Sequence, residues 1–123
     1  MQSHRHILER CLIEGVDQVA VFEDDASWTP DAWTSLAAFL AAVPKDWDAL
    51  MLGGQHMGRG PLKAAKGVSR TTNCQRTHAY VLRGATITHA HRLLQLGVHA
   101  AVALSPLNRG ATMYAADPWL ITT

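Results

Sequence analysis

The chain has 123 residues, 48% hydrophobic and 17% charged, with nine glycines and five prolines; this excludes disordered, collagen-like and coiled-coil classes and fits one globular domain over residues 1–123. No apolar run reaches the roughly 18 residues that span a bilayer, and Arg5, His6, Glu9 and Arg10 break up the N-terminal stretch, so neither a transmembrane segment nor a signal peptide is expected. Charge is divided along the chain: up to residue 48 nine acids stand against three Lys or Arg, and from 49 onward eight bases stand against Asp117 alone. Packing both halves into one small body is expected to bring an acidic cluster near a basic surface, as a metal ion with a phosphate-bearing ligand requires, or simply to leave two solvated faces. Cys11 and Cys74 belong to no CxxC pair and read as thiols of a reducing compartment.

In chain order, Ser3 reads as an N-cap, and Ile7, Leu8, Cys11 and Leu12 recur at helical spacing before Gly15, which predicts a helix over 4–14. Gln18-Val19-Ala20-Val21-Phe22 is short, β-rich and apolar on both faces, as a strand buried between helices is. Thr29 before Pro30 predicts the start of a second helix, whose apolar face (Trp33, Leu36, Ala37, Phe39, Leu40) runs up to Pro44. Asp48 to Leu52 is another buried-strand candidate closed by Gly53-Gly54, so helix, strand, helix, strand predicts parallel pairing by right-handed crossover and an α/β class. Residues 55–68 carry Gly58, Gly60, Pro61 and Gly67 with Arg59, Lys63 and Lys66 and no periodicity, predicting a long mobile loop. Strands are expected over 68–72, 77–82 and 112–115, and a helix over 85–96.

Glu23-Asp24-Asp25 follows the first strand. Adjacent carboxylates raise one another's pKa unless a cation neutralises them. Alternation points Glu23 and Asp25 to one side, where their oxygens would suit Mg²⁺ or Mn²⁺, and open α/β sheets bind ligands at the carboxyl ends of strands. The alternative is that Asp24 or Asp25 caps the turn. Alternation also sends His78 and Tyr80 to one face, as ligand contacts or as core groups satisfied by hydrogen bonds. Gly53-Gly54 either lets a ligand approach the backbone or forms a turn. The histidine pairs His4/His6 and His89/His91 are spaced by two, whereas a helical zinc pair needs three or four, so no zinc site is expected.

Ser3-His4-Arg5, Val21-Phe22-Glu23-Asp24-Asp25-Ala26, Trp47-Asp48-Ala49-Leu50-Met51-Leu52-Gly53-Gly54-Gln55 and Arg76-Thr77-His78-Ala79-Tyr80-Val81-Leu82, in this order and spacing, resemble glycosyltransferase family 25. This is the family of lipopolysaccharide-biosynthesis and collagen galactosyltransferases; Met113 to Ile121 resembles its closing strand. The resemblance implies a GT-A-like sheet with flanking helices and a transferase that moves a hexose from a UDP-sugar donor to a glycan or lipopolysaccharide acceptor. It implies Mn²⁺, or Mg²⁺, at Asp25 and Glu23, and donor contacts from Asp24, Gly53, Gly54, Gln55, His78 and Tyr80. Lys63, Lys66 and Arg70, which no motif covers, are candidate phosphate contacts on general grounds. A cytoplasmic place at the inner membrane surface follows from the same resemblance.

Two departures qualify what is carried over. Family members carry an acid near the position of His99, where this chain reads Gly97-Val98-His99-Ala100. They also precede the helix at Ser3 with a nucleotide-binding strand-helix region, so the fold is expected to be truncated at the N-terminus and to complete its sheet with a partner or a second copy. The alternative function is a non-catalytic remnant that binds a sugar nucleotide or glycan. Nucleic-acid binding is disfavoured, because the acids of the first half repel a phosphate backbone.

Overall fold

A computed structural model of the chain describes residues 2–97 and 100–122. Helix α1 (Gln2–Glu14) leads into β1 (Gln18–Phe22), a two-residue β2 (Ser27–Trp28), α2 (Ala32–Ala42) and the long β3 (Ala49–His56). Strands β4 (Leu62–Ala65), β5 (Val68–Arg70) and β6 (Cys74–Arg83) follow, then α3 (Ala85–Leu94), α4 (Ala100–Ala103), α5 (Leu107–Gly110), β7 (Met113–Ala116) and β8 (Ile121–Thr122). The architecture is mixed α/β: an open six-stranded sheet in the order β1-β6-β3-β7-β5-β4, flanked by helices, with β2 and β8 pairing separately.

Side-chain alternation builds the two faces of the sheet. Ala49 and Met51 of β3, Tyr80 and Leu82 of β6, and Met113 and Ala115 of β7 pack with Leu8 and Cys11 of α1 and Ile87, Ala90 and Leu94 of α3. Their neighbours Leu50, Leu52, Ala79, Val81, Tyr114 and Ala116 turn to the other face, against Phe39 and Val43 at the end of α2 and Ile121 of β8. Asn108 stitches the start of β6 to α5: its Oδ1 accepts from the Cys74 N–H (2.8 Å) and its Nδ2 donates to the Cys74 carbonyl (2.9 Å).

Four expectations change. β1 and β3 point the same way but do not pair, because β6 runs antiparallel between them; the parallel pair is β3 with β7. β6 follows β5 after only residues 71–73 yet pairs with β1 and β3, a choice local sequence does not encode. β1 is an edge strand with only Val21 buried, since α2 covers the middle of the sheet rather than this edge. Residues 55–67 are not one mobile loop: β3 continues to His56, and β4 and β5 form an antiparallel hairpin turning at Lys66-Gly67, with Gly67 at φ 74. Thr29 does not cap α2; its hydroxyl donates to the Leu120 carbonyl (3.2 Å), and Asp31, at φ 61, precedes the helix without a side-chain cap bond.

Candidate functional site

The acidic triplet lies where β1 ends at the carboxyl end of the co-directional strands β1, β3 and β7. The Glu23 N–H still bonds the His78 carbonyl (3.0 Å), which ties the motif to β6, and the Ala26 N–H closes a turn on the Glu23 carbonyl (3.0 Å). The turn is therefore closed by backbone. Neither Asp24 nor Asp25 makes a side-chain hydrogen bond or ion pair among the described residues, so the capping alternative is not what is observed.

Glu23 behaves differently from its neighbours. Its Oε2 lies 3.1 Å from Nε2 of His4 in the first turn of α1, and Nδ1 of the same ring lies 2.7 Å from the Tyr80 hydroxyl. A carboxylate only accepts, so in the neutral imidazole Nε2–H donates to Glu23 and the Tyr80 O–H donates to Nδ1. His4 and Tyr80 are 4% and 2% exposed, and burial, reinforced by the Glu23 charge, pushes the Tyr80 hydroxyl pKa well above its ordinary value. Tyr80 is thus a core group satisfied by His4, which corrects its assignment as a donor contact: its hydroxyl faces protein, not ligand.

His78 sits in the same region. Burial lowers its pKa below the ordinary 6.5, opposed by Glu23, helped by Arg76 and opposed again by Asp25. Its ring lies over Gly53: a Cβ there would come within 2.6 Å of His78 Cδ2 and 2.6 Å of the Ile121 carbonyl. At Gly54 a Cβ would meet Cys74 Sγ and the Gln75 carbonyl at 3.0 Å. The space the two glycines leave is filled by protein, which corrects the expectation that it admits a sugar. Beside them His56 stacks on Trp119 with centroids 4.7 Å apart, and burial lowers its pKa too, against the pull of Asp117.

Arg76 is the residue that sequence reasoning passed over. Its φ is 74, an unusual conformation for a residue with a Cβ, and it falls where the β3–β6 register shifts. The guanidinium Nε donates to Gln55 Oε1 (2.8 Å) and acts on His78 along with Glu23 and Asp25. The only sequence signal was its place two residues before His78 in a resembling segment.

The three bases nominated for phosphate are elsewhere. Their hairpin forms the opposite edge of the sheet, with β5 four inter-strand steps from β1, roughly 19 Å at the usual spacing. Arg70 lies over the Tyr114 ring, 5.5 Å from its centroid, and Tyr114 in turn donates to Asp46 (2.8 Å). Lys63 is exposed, and Lys66 lines a separate cleft beside α2 with Ser35 and Asp117. None of them lies on a strand next to the acidic turn. His99 lies outside the described residues.

Among the described residues no three His, Cys, Asp or Glu side chains come together in an arrangement that would hold a metal. No helix among them is long and apolar enough to cross a membrane. No protein-family model matches the chain, and no curated protein matches it significantly.

Proposed function

We propose that this chain is a glycosyltransferase region that uses a nucleotide-sugar donor, with the turn Glu23–Asp25 as its donor-side centre in a GT-A-like sheet. The observation that carries the reading is convergence: segments resembling the same family meet at one end of the sheet. His4 bonds Glu23, 19 residues away, and Tyr80, 76 residues away, while His78 rests on Gly53. An ion of the Mg²⁺ or Mn²⁺ kind is commonly held by one or two carboxylates together with substrate phosphates, so the absence of a third protein ligand is no obstacle. Asp25, with Asp24 beside it, would hold that ion; Glu23, whose Oε2 is engaged by His4, would orient the turn rather than lead the coordination.

When bound, the ion would offset charge on the departing nucleoside diphosphate. The chain's own residues do the rest: His4 fixes the acidic turn to the core, and Arg76 offers a guanidinium to the diphosphate in place of the hairpin bases. The acceptor reading, a glycan or lipopolysaccharide, and a place at the cytoplasmic membrane surface rest on the family resemblance. A non-catalytic sugar-nucleotide-binding module is the second reading, favoured by the engagement of Glu23 with His4; it binds the same donor without turnover.

The test is a calorimetric titration with UDP, with and without Mn²⁺. Binding should require Mn²⁺ and weaken at least about tenfold, near 1.4 kcal/mol, in Asp25→Asn. UDP affinity that ignores both the ion and the substitution would remove the acidic turn from the donor site.

A further inference from the structure

The strongest feature outside the acidic turn is a row of exposed aromatic rings directly beside it. Phe22, the last residue of β1, and Trp28, in β2, flank the Glu23–Asp25 turn in sequence; their ring centroids are 5.9 Å apart. Trp33, in the first turn of α2, stacks on Trp28 at 4.7 Å with the planes 23° apart. All three are solvated: Phe22 is 44%, Trp28 38% and Trp33 70% exposed. Behind them, Phe22 and Trp28 line an apolar cleft of about 280 Å³ left uncovered between β1 and α2, floored by Leu36, Leu40 and Trp47. Large aromatic surface in water is unfavourable, and a contiguous exposed patch of it marks a binding surface.

The chemistry around the row selects the ligand. From Val16 to Pro44 the chain has five acids and no Lys, Arg or His. Nucleic acid could stack on the rings, but its phosphates would meet the carboxylates of the Glu23–Asp25 turn, while the guanidinium at the cleft floor, Arg83 over Trp47, already donates to the Trp47 and Lys45 carbonyls, and an anionic membrane surface meets the same repulsion. A neutral saccharide fits both parts of the surface. The C–H face of a pyranose packs flat on an indole, and its rim of hydroxyls donates to the carboxylates. At about 280 Å³ the cleft lies at the small end of ligand pockets, a size for a sugar ring rather than a protein element.

We infer that Phe22, Trp28 and Trp33 form a platform for a neutral saccharide, placed to present an acceptor glycan to the acidic turn. The acceptor role rests on the glycosyl-transfer reading; the binding itself does not. The experiment is therefore run without nucleotide or metal, so that its failure and the failure of the donor site are separate results.

Indole N–H resonances of the four tryptophans are followed by NMR during titration with lactose, cellotriose and maltotriose. Trp28 and Trp33 should shift while Trp119, stacked on His56 and outside the cleft, does not. Trp33→Ala, at a position exposed enough to leave the fold intact, should weaken the Trp28 response about tenfold, as expected for losing an aromatic contact. Phe22→Ala provides the second variant and should weaken it in the same direction. The inference is overturned if none of the three saccharides moves Trp28 or Trp33, if an oligothymidine or an anionic vesicle moves them as strongly, or if sedimentation shows that the row is buried by self-association.

Discussion

The two edges of the sheet carry opposite charge and are built in opposite ways. At the β1 edge the acidic turn is anchored inward, through Glu23, His4 and Tyr80, to the packed face beneath α1. At the β4 edge the basic hairpin stands in water: Leu62, Lys63 and Ala64 are exposed, and the pairing of β4 with β5 is its main support. Because the strand order separates these edges, the acidic turn and the basic hairpin do not form one composite site. Charge division along a chain says nothing about charge proximity until the strand order is known; Arg76, on the strand beside β1, is a base that acts on His78 together with Glu23 and Asp25.

The largest expected effect separates a packed glycine from a turn glycine. Gly53→Ala forces a Cβ against the Ile121 carbonyl, which as backbone cannot step aside, and should cost about 3 kcal/mol in denaturant unfolding, the upper part of the overpacking range. A loss below about 0.5 kcal/mol would mean that β8 does not lie against β3 as described.

Next comes the anchor itself. His4→Ala leaves the buried Tyr80 hydroxyl and Glu23 without their shared partner, an expected loss of about 2 kcal/mol. Lys63→Ala and Lys66→Ala on the solvated hairpin should stay within about 0.5 kcal/mol. Equal losses at the two edges, measured by the same urea titration, would erase the structural contrast.

Binding should divide the edges in the same way. Arg76→Ala should weaken Mn²⁺-dependent UDP binding about tenfold, whereas Lys63→Ala, Lys66→Ala and Arg70→Ala should leave it unchanged. A weakening confined to the hairpin variants would move the diphosphate to the far edge.

The smallest effect is in pH. His78 and His56 both have folded pKa values lowered from 6.5 by burial. The unfolded chain therefore takes up protons near pH 6.5 that the native state refuses, so stability is full above that pH and falls as pH drops toward the folded values. Thermal unfolding between pH 7.5 and 5 should show this decline, and His78→Gln should flatten it. A stability that rises over the same interval would contradict burial as the dominant cause at these two rings.

How much of this was legible beforehand follows from the range of each interaction. The alternation Ala49-Leu50-Met51-Leu52 already said that β3 is covered on both faces, and Leu50 and Met51 indeed face opposite clusters. The end of β1 at three acids and the helical spacing of Leu8 and Cys11 are likewise local, because a period of 2 or 3.6 residues is a property of neighbours in the chain. The same pattern misled at β1: Val-Ala-Val-Phe reads as doubly buried, yet whether a helix covers Ala20 and Phe22 depends on where α2 lands across the sheet, which those residues do not control.

Tertiary structure alone decided the rest. Tyr80 passed from candidate ligand contact to core group only when α1 brought His4 to its hydroxyl from 76 residues away. Gly53 became a packing requirement only when His78 and Ile121 converged on it, and the positive φ of Arg76 arises at the β3–β6 register shift, which no local pattern announces. The insertion of β6 between β1 and β3 placed acids at one edge and bases at the other. Sequence by itself determined which residues alternate, where β1 ends and what chemistry it carries there, since those are set by local backbone geometry. The order of the strands, and with it which charges, rings and glycines meet, was settled by burial across the whole domain, a sum over distant contacts that no short segment contains.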